Sequence, residues 1–140
     1  MYAPRWELRG FDVLPAAARC SIVLAKVKAL VHIDQIEWRA IHPPPLYDAG
    51  ITYAFQGVQD DWKDLERVRE TGEGSCNSLS AWRVAELLEN GVSAGPYIRT
   101  AYQLGSEGPL EVFHVIVWRA LPGGGRTYED PSARLGMPVP

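Results

Sequence analysis

Cysteine is scarce in this chain, with two residues, Cys20 and Cys76, among 140. A domain of this size does not depend on a disulfide framework, and two thiols alone do not complete the usual four-ligand zinc site. Histidine is nearly as rare, at positions 32, 42 and 114. An excess of positive charge is missing too. The formal net charge is −3, which argues against the basic footprint of a nucleic-acid binder and against a polybasic membrane tether. Long apolar runs are absent: the most apolar stretch, Ser21 to Ile33, is broken by Lys26 and Lys28 and is shorter than the ~20 residues a bilayer span needs. The opening Met1-Tyr2-Ala3-Pro4-Arg5-Trp6-Glu7-Leu8-Arg9 carries charge where a signal peptide needs an apolar core. No Asp-x-Asp-x-Asp-Gly calcium loop occurs. The expectation is a cytoplasmic protein without a signal peptide, with no membrane or nucleic-acid partner, no metal and no cofactor.

What is present is 46% hydrophobic and 22% charged residues, the composition of one soluble globular domain spanning residues 1–140. From Ala16 to about Ile41 no glycine or proline occurs, and Ile22, Val23, Val27, Leu30, Val31 and Ile36 make an approximately helical stripe. Pro43, Pro44 and Pro45 end that helix, because each disfavours helical backbone before it and donates no hydrogen bond. Ile51 to Phe55 reads as a short strand, and Asp60 to Arg69 as a short amphipathic helix closed by Gly72. A clearer helix runs from Asn77 to Asn90, with Ser75 as N-cap, Cys76 in the first turn and Gly91 after its end. Gly95 to Gln103 and Leu110 to Leu121 have strand character. The second is apolar on both faces, as a central strand is, and Pro122 to Gly125 turn it into a last strand, Arg126 to Asp130, stopped at Pro131. The fold class is α+β, helices first and an antiparallel sheet last.

A thiol in the first turn of a helix meets the positive end of the macrodipole and the amides of that turn, which favour the thiolate. Gly72 and Gly74 allow close approach of a substrate, and the amide of Cys76 is a candidate oxyanion donor. Equally, Cys76 in isolation reads as a small packing residue after a glycine-rich turn. Of the histidines, His32 falls inside the long helix and His42 beside the prolines, where packing or surface roles are usual. His114 lies in the strongest strand, and Asp130 follows it by 16 residues in the partner strand. A carboxylate there would set the imidazole tautomer and stabilise the imidazolium. The spacing constrains the hairpin. A turn centred on Gly124 would leave Asp130 opposite Trp118, roughly 13 Å from His114 at ~3.3 Å per residue. Direct opposition of 114 and 130 requires a turn centred on Pro122, or a bulge. Arg83 reads as a partner of Glu86 or Glu89, and less readily as a clamp for a substrate carboxylate.

Gly-x-Gly-x-Cys opening a helix, a histidine in an apolar strand and Asp-Pro-Ser closing the next strand resemble the transglutaminase-like superfamily of Cys-His-Asp enzymes. The likeness is closer to the small transglutaminase-like proteins of tailed bacteriophages and prophages. It is carried by Pro45 to Tyr53, Trp62, Gly72 to Cys76, Ala81 to Leu87 and Glu129 to Met137, and runs from about Leu30 to Met137. The resemblance implies a transglutaminase-like or papain-like core, with the nucleophile helix packed on the sheet. It makes Cys76 the nucleophile, His114 the general base and Asp130 the orienting carboxylate. Tyr53, Gln56 and Trp62, preceding the nucleophile, are candidates for the second oxyanion donor or for substrate contact. The implied activity is that of a peptidase, deamidase or transamidase working through a thioester on a protein or peptide, such as a phage structural protein, in the host cytoplasm or the phage particle. The sequence departs from the pattern at the turn, which reads Gly-Ser-Cys followed by Asn77 and Ser78, where the family has Gly-Asp-Cys and two acids. Loss of that negative charge favours the thiolate but removes groups that would bind a substrate amine. It also opens the alternative of a virion or assembly protein that keeps the fold for interaction alone.

Overall fold

The computed structural model describes residues 14–55, 62–105 and 108–138. Helix α1 spans Ala16–Ile41, the uninterrupted stretch read from the sequence, and ends at His42, whose backbone adopts φ 50° and returns its N–H to the carbonyl of Trp38. Its buried residues are Val27, Leu30, Val31, Asp34 and Glu37. Ile36, counted in the expected apolar stripe, is instead exposed, because the inward seats beyond Val31 are taken by the two acids.

After a 3₁₀ turn at Leu46–Asp48, strand β1 (Thr52–Tyr53) pairs in parallel with β2 (Glu73–Gly74), and helix α2 (Leu65–Thr71) lies between them in sequence. The helix begins later than the expected Asp60. Asp64 is extended and caps it, its carboxylate accepting from the amide of Arg67 at 2.9 Å, and Asp60 and Asp61 lie outside the described residues. Gly72 closes α2 at φ 75°, a left-handed conformation suited to glycine. Helix α3 (Cys76–Glu89) follows, then β3 (Ala94–Gly105), β4 (Gly108–Ala120) and β5 (Arg126–Glu129). These three form an antiparallel sheet in the order β3-β4-β5 with β4 central, as its two apolar faces require. A last short helix, α4 (Pro131–Arg134), is capped by Asp130 and carries Pro131 in its first turn, the position proline favours. The chain is therefore α+β, with N-terminal helices and a C-terminal three-stranded antiparallel sheet. Among the described residues no helix is long and apolar enough to cross a membrane.

Helix α3 belongs to both hydrophobic clusters. Its Ala81, Val84, Ala85 and Leu87 pack with Val27, Leu30 and Val31 of α1 and with Val115 and Val117 of β4. Its Leu79 and Trp82 pack with Leu46, Ile51, Leu65 and Val68 on the other side.

The docking of α2 on α1 is polar. Asp34 accepts from the amide of Leu65 at 2.8 Å and Glu37 from the amide of Glu66 at 2.9 Å. With Asp64 on Arg67, three buried carboxyl groups satisfy consecutive amides of the α2 N-terminus, which have no partner within the helix itself. Burial raises the Asp34 carboxyl well above its ordinary range. Burial, reinforced by the hydrogen bond to Asp64, lifts Glu37 to about 8, so a protonated Glu37 donates to Asp64 at neutral pH. An acid whose pKa is raised by folding binds more protons when folded than when unfolded, so stability falls as pH rises from the ordinary glutamate range to about 8. Chemical denaturation across that window is expected to show this decline in the native protein. In Glu37→Gln, which keeps an acceptor for Glu66 and a donor for Asp64 but does not titrate, the decline becomes shallower.

Candidate active site

The hairpin β4–β5 pairs Ala120 with Arg126 and Val117 with Glu129. Its loop is therefore Leu121 to Gly125, centred on Gly123, one residue from each of the two alternatives considered. Continued by one rung, this register sets Asp130 across from Ile116 and diagonal to His114. The expected direct opposition, by a turn centred on Pro122 or by a bulge, is thus corrected. It is not required, because diagonal neighbours on one face of an antiparallel pair remain within reach of long side chains. The bond forms across that diagonal: His114 Nε2 lies 2.8 Å from Asp130 Oδ2.

Asp130 is held from both sides. Its Oδ1 accepts from the amide of Ala133 at 3.3 Å, so the residue that caps α4 also orients the imidazole. With Nε2 turned to the carboxylate, neutral His114 carries its proton there, and Nδ1 is the nitrogen left to exchange a proton with another group. Both side chains are 22% exposed, open enough for a substrate to reach them.

Cys76 is placed by α3. Cys76, Ser80 and Arg83 follow one another at helical spacing on one face. The Ser80 hydroxyl donates to the carbonyl of Val115 at 2.9 Å, on a stretch of β4 beyond the last rung of β5. Arg83 Nε donates to Glu129 Oε1 at 2.6 Å, and Glu129 pairs with Val117. Going back along the helix from Arg83 to Ser80 thus goes back along β4 from Val117 to Val115, so Cys76 opens the helix beyond Val115, while strand alternation turns the His114 side chain to the face opposite Val115 and Val117. The thiol itself is half-buried at the margin of the cluster that contains Val115.

The turn before Cys76 differs from expectation in one respect. Ser75 occupies the N-cap position but makes no side-chain cap bond; its hydroxyl donates to Asn77 Oδ1 at 2.7 Å. Ser78 donates to the same oxygen at 3.0 Å, and its own oxygen accepts from the amide of Lys63 at 2.9 Å. Asn77 and Ser78 are both buried. Acids at these positions would place unpaired charge where these neutral groups tie the helix start to the preceding loop.

Two of the remaining candidates border the segment that carries Cys76: Tyr53 pairs with Gly74, and Trp62 packs against the same cluster as Cys76. Tyr53 is in β1, and its backbone amide is committed to the carbonyl of Leu135 at 2.9 Å. Trp62 packs at the edge of the core, with the Lys26 ammonium 4.2 Å from its ring centroid. Gln56 lies outside the described residues. His32 and His42 are exposed, on and just after α1. Among the described residues, no group of three His, Cys, Asp or Glu side chains is disposed to hold a metal ion.

One residue missed by local reading is Glu129. Arg83 bonds its expected partner Glu86 at 2.6 Å and also Glu129, and Glu86 in turn accepts from the amide of Leu46 at 2.9 Å. Tyr47 lies beneath, its ring centroid 4.8 Å from the Arg83 guanidinium, and burial together with the Glu129 charge pushes its phenol up to about 12. Arg83 thus links the helix that begins with Cys76 to the residue before Asp130. Replacing it with methionine is expected to cost about 2 kcal/mol, the scale of a lost charge-assisted hydrogen bond, measured by urea denaturation. Adding Glu129→Gln should cost less than the sum of the two single changes.

No family model, no curated protein and no solved structure matches this chain.

Proposed function

We propose that the chain is a thiol acyl-transfer enzyme with a transglutaminase-like core, phage or prophage encoded, acting on amide bonds of a protein or peptide. The observation that carries this reading is the 2.8 Å bond between His114 Nε2 and Asp130 Oδ2. It leaves Nδ1 as the basic nitrogen available to a thiol. A histidine so oriented and a thiol at a helix N-terminus are complementary halves of an activated nucleophile.

In the proposed reaction the Cys76 proton passes to His114 Nδ1, and Sγ bonds to the carbonyl carbon of a substrate amide. The Cys76 amide donates to the oxyanion that forms. As the carbon–nitrogen bond breaks, the imidazolium gives its proton to the leaving amine, and a thioester remains. Water, deprotonated by His114, then releases a carboxylic acid and restores the thiol; an amine in its place forms a new amide. Asp130 keeps the imidazole in the required tautomer and stabilises its charged form.

Alkylation by iodoacetamide as a function of pH tests the proposal, with Cys20 and the urea-unfolded chain as references. Cys76 is expected to react at lower pH than either reference. His114→Ala and Asp130→Asn should each move its curve upward by about one pH unit, the scale of losing a neighbouring opposite charge. A Cys76 that reacts like an ordinary thiol, unchanged in both variants, contradicts the proposal and leaves an interaction protein as the better reading.

A further inference from the structure

In the sheet, Ala94 and Ile98 of β3 and Val115 and Val117 of β4 face the helices. Strand alternation therefore turns Gly95, Tyr97, Arg99, His114, Ile116, Trp118, Arg126, Tyr128 and Asp130 to the opposite face. Tyr97 and Tyr128 remain 45% and 52% exposed, yet they meet edge to face at 5.1 Å between centroids. Ile116, directly paired with Tyr97, is buried. Trp118 lies over Gly95, where a Cβ would come within 2.5 Å of its indole nitrogen, so glycine is what allows the ring to lie flat there. The Arg126 guanidinium stacks 3.9 Å from the Trp118 ring centroid. Arg99 is exposed and stands directly across from His114.

The face is thus an aromatic shelf carrying two guanidinium groups. Of the nine described positions named, Asp130 is the one acid, and its carboxylate is engaged with His114 and the Ala133 amide. This local positive sign stands against a chain whose net charge is −3. We infer that this face is a docking surface for an acidic peptide segment, and that it delivers such a segment to the site at His114. The inference rests on the thiol-enzyme reading for its chemical purpose. Exposed tyrosines beside a half-buried tryptophan offer contact area at low entropic cost, and guanidinium groups take carboxylates in two-pronged hydrogen bonds. A nucleic acid would find the same arginines, but the negative charge of the whole chain opposes a long polyanion, whereas a peptide brings only a few carboxylates.

The test uses the full chain with Cys76→Ala, so that nothing reacts, and fluorescence anisotropy of a fluorescein-labelled peptide of glutamate, glutamine and phenylalanine. The acidic peptide is expected to bind, its lysine-for-glutamate counterpart not to bind, and added salt to weaken the complex. Arg99→Glu with Arg126→Glu should weaken binding by about tenfold, the combined scale of reversing two rim charges, while circular dichroism stays unchanged. Equal binding of both peptides, no binding at millimolar concentration, or an affinity indifferent to the charge reversal would overturn the inference. So would tighter binding of an oligothymidylate, or a dimer in sedimentation that dissociates on Tyr97→Ser with Tyr128→Ser. An activated Cys76 without peptide binding removes the docking surface alone; peptide binding beside an ordinary thiol removes the enzyme alone.

Discussion

The enclosure of α3 is the constraint from which the rest of the structure follows. Most helices of a small domain bury one stripe, but here Trp82 and Leu79 fill one cluster while Ala81, Val84 and Ala85 fill the other. Removing this helix would expose both cores at once, so its position is determined by packing on two sides. The small residues Ser80, Ala81 and Ala85 let α1 and β4 come close, and the polar residues on the helix are anchored rather than solvated. Ser80 is tied to β4, Arg83 to β5 and Glu86 to the segment after α1. A helix held in this way presents its first turn, and Cys76 with it, in one orientation.

The same economy governs the polar interior. Acids are used as caps: buried Asp34, Glu37 and Asp64 satisfy the start of α2, and half-buried Asp130 satisfies α4 while orienting His114. In each case the carboxyl group takes amides that the helix cannot satisfy itself. At α2 the cost of crowding acids together is relieved by a proton on Glu37. At α4 a single carboxylate faces the imidazole. The first arrangement serves stability and the second gives a carboxylate and a base of defined geometry.

How much of this was legible in the sequence depended on whether local chemistry decided it. The limits of α1 follow from a stretch without glycine or proline before three prolines. The central place of β4 follows from its two apolar faces, and the pairing of His114 with Asp130 from strand and turn signals. The turn centre of that hairpin was misjudged by one residue, and the pairing by two, because Gly123, Gly124 and Gly125 accept several turn centres with little preference among them. The capping cluster was missed although a signal existed: Asp34 continues the stripe of Val27, Leu30 and Val31, and an acid at a core position needs a partner. Asp130-Pro131 likewise announces the start of α4. No local signal could have given the contact of Arg83 with Glu129, which joins residues 46 apart in the chain. The transglutaminase-like assignment rests on motif resemblance; the bond between His114 and Asp130 is a separate observation.

The central claim is that His114 is coupled at one nitrogen to Asp130 and at the other to Cys76. Nitrogen-15 NMR of the imidazole, titrated with pH in the native chain and in Cys76→Ala, reads both couplings at once. The account predicts a neutral His114 protonated at Nε2, with an Nδ1 signal that changes when the thiol is removed. A neutral form protonated at Nδ1, or an Nδ1 signal identical in the two chains, would contradict it.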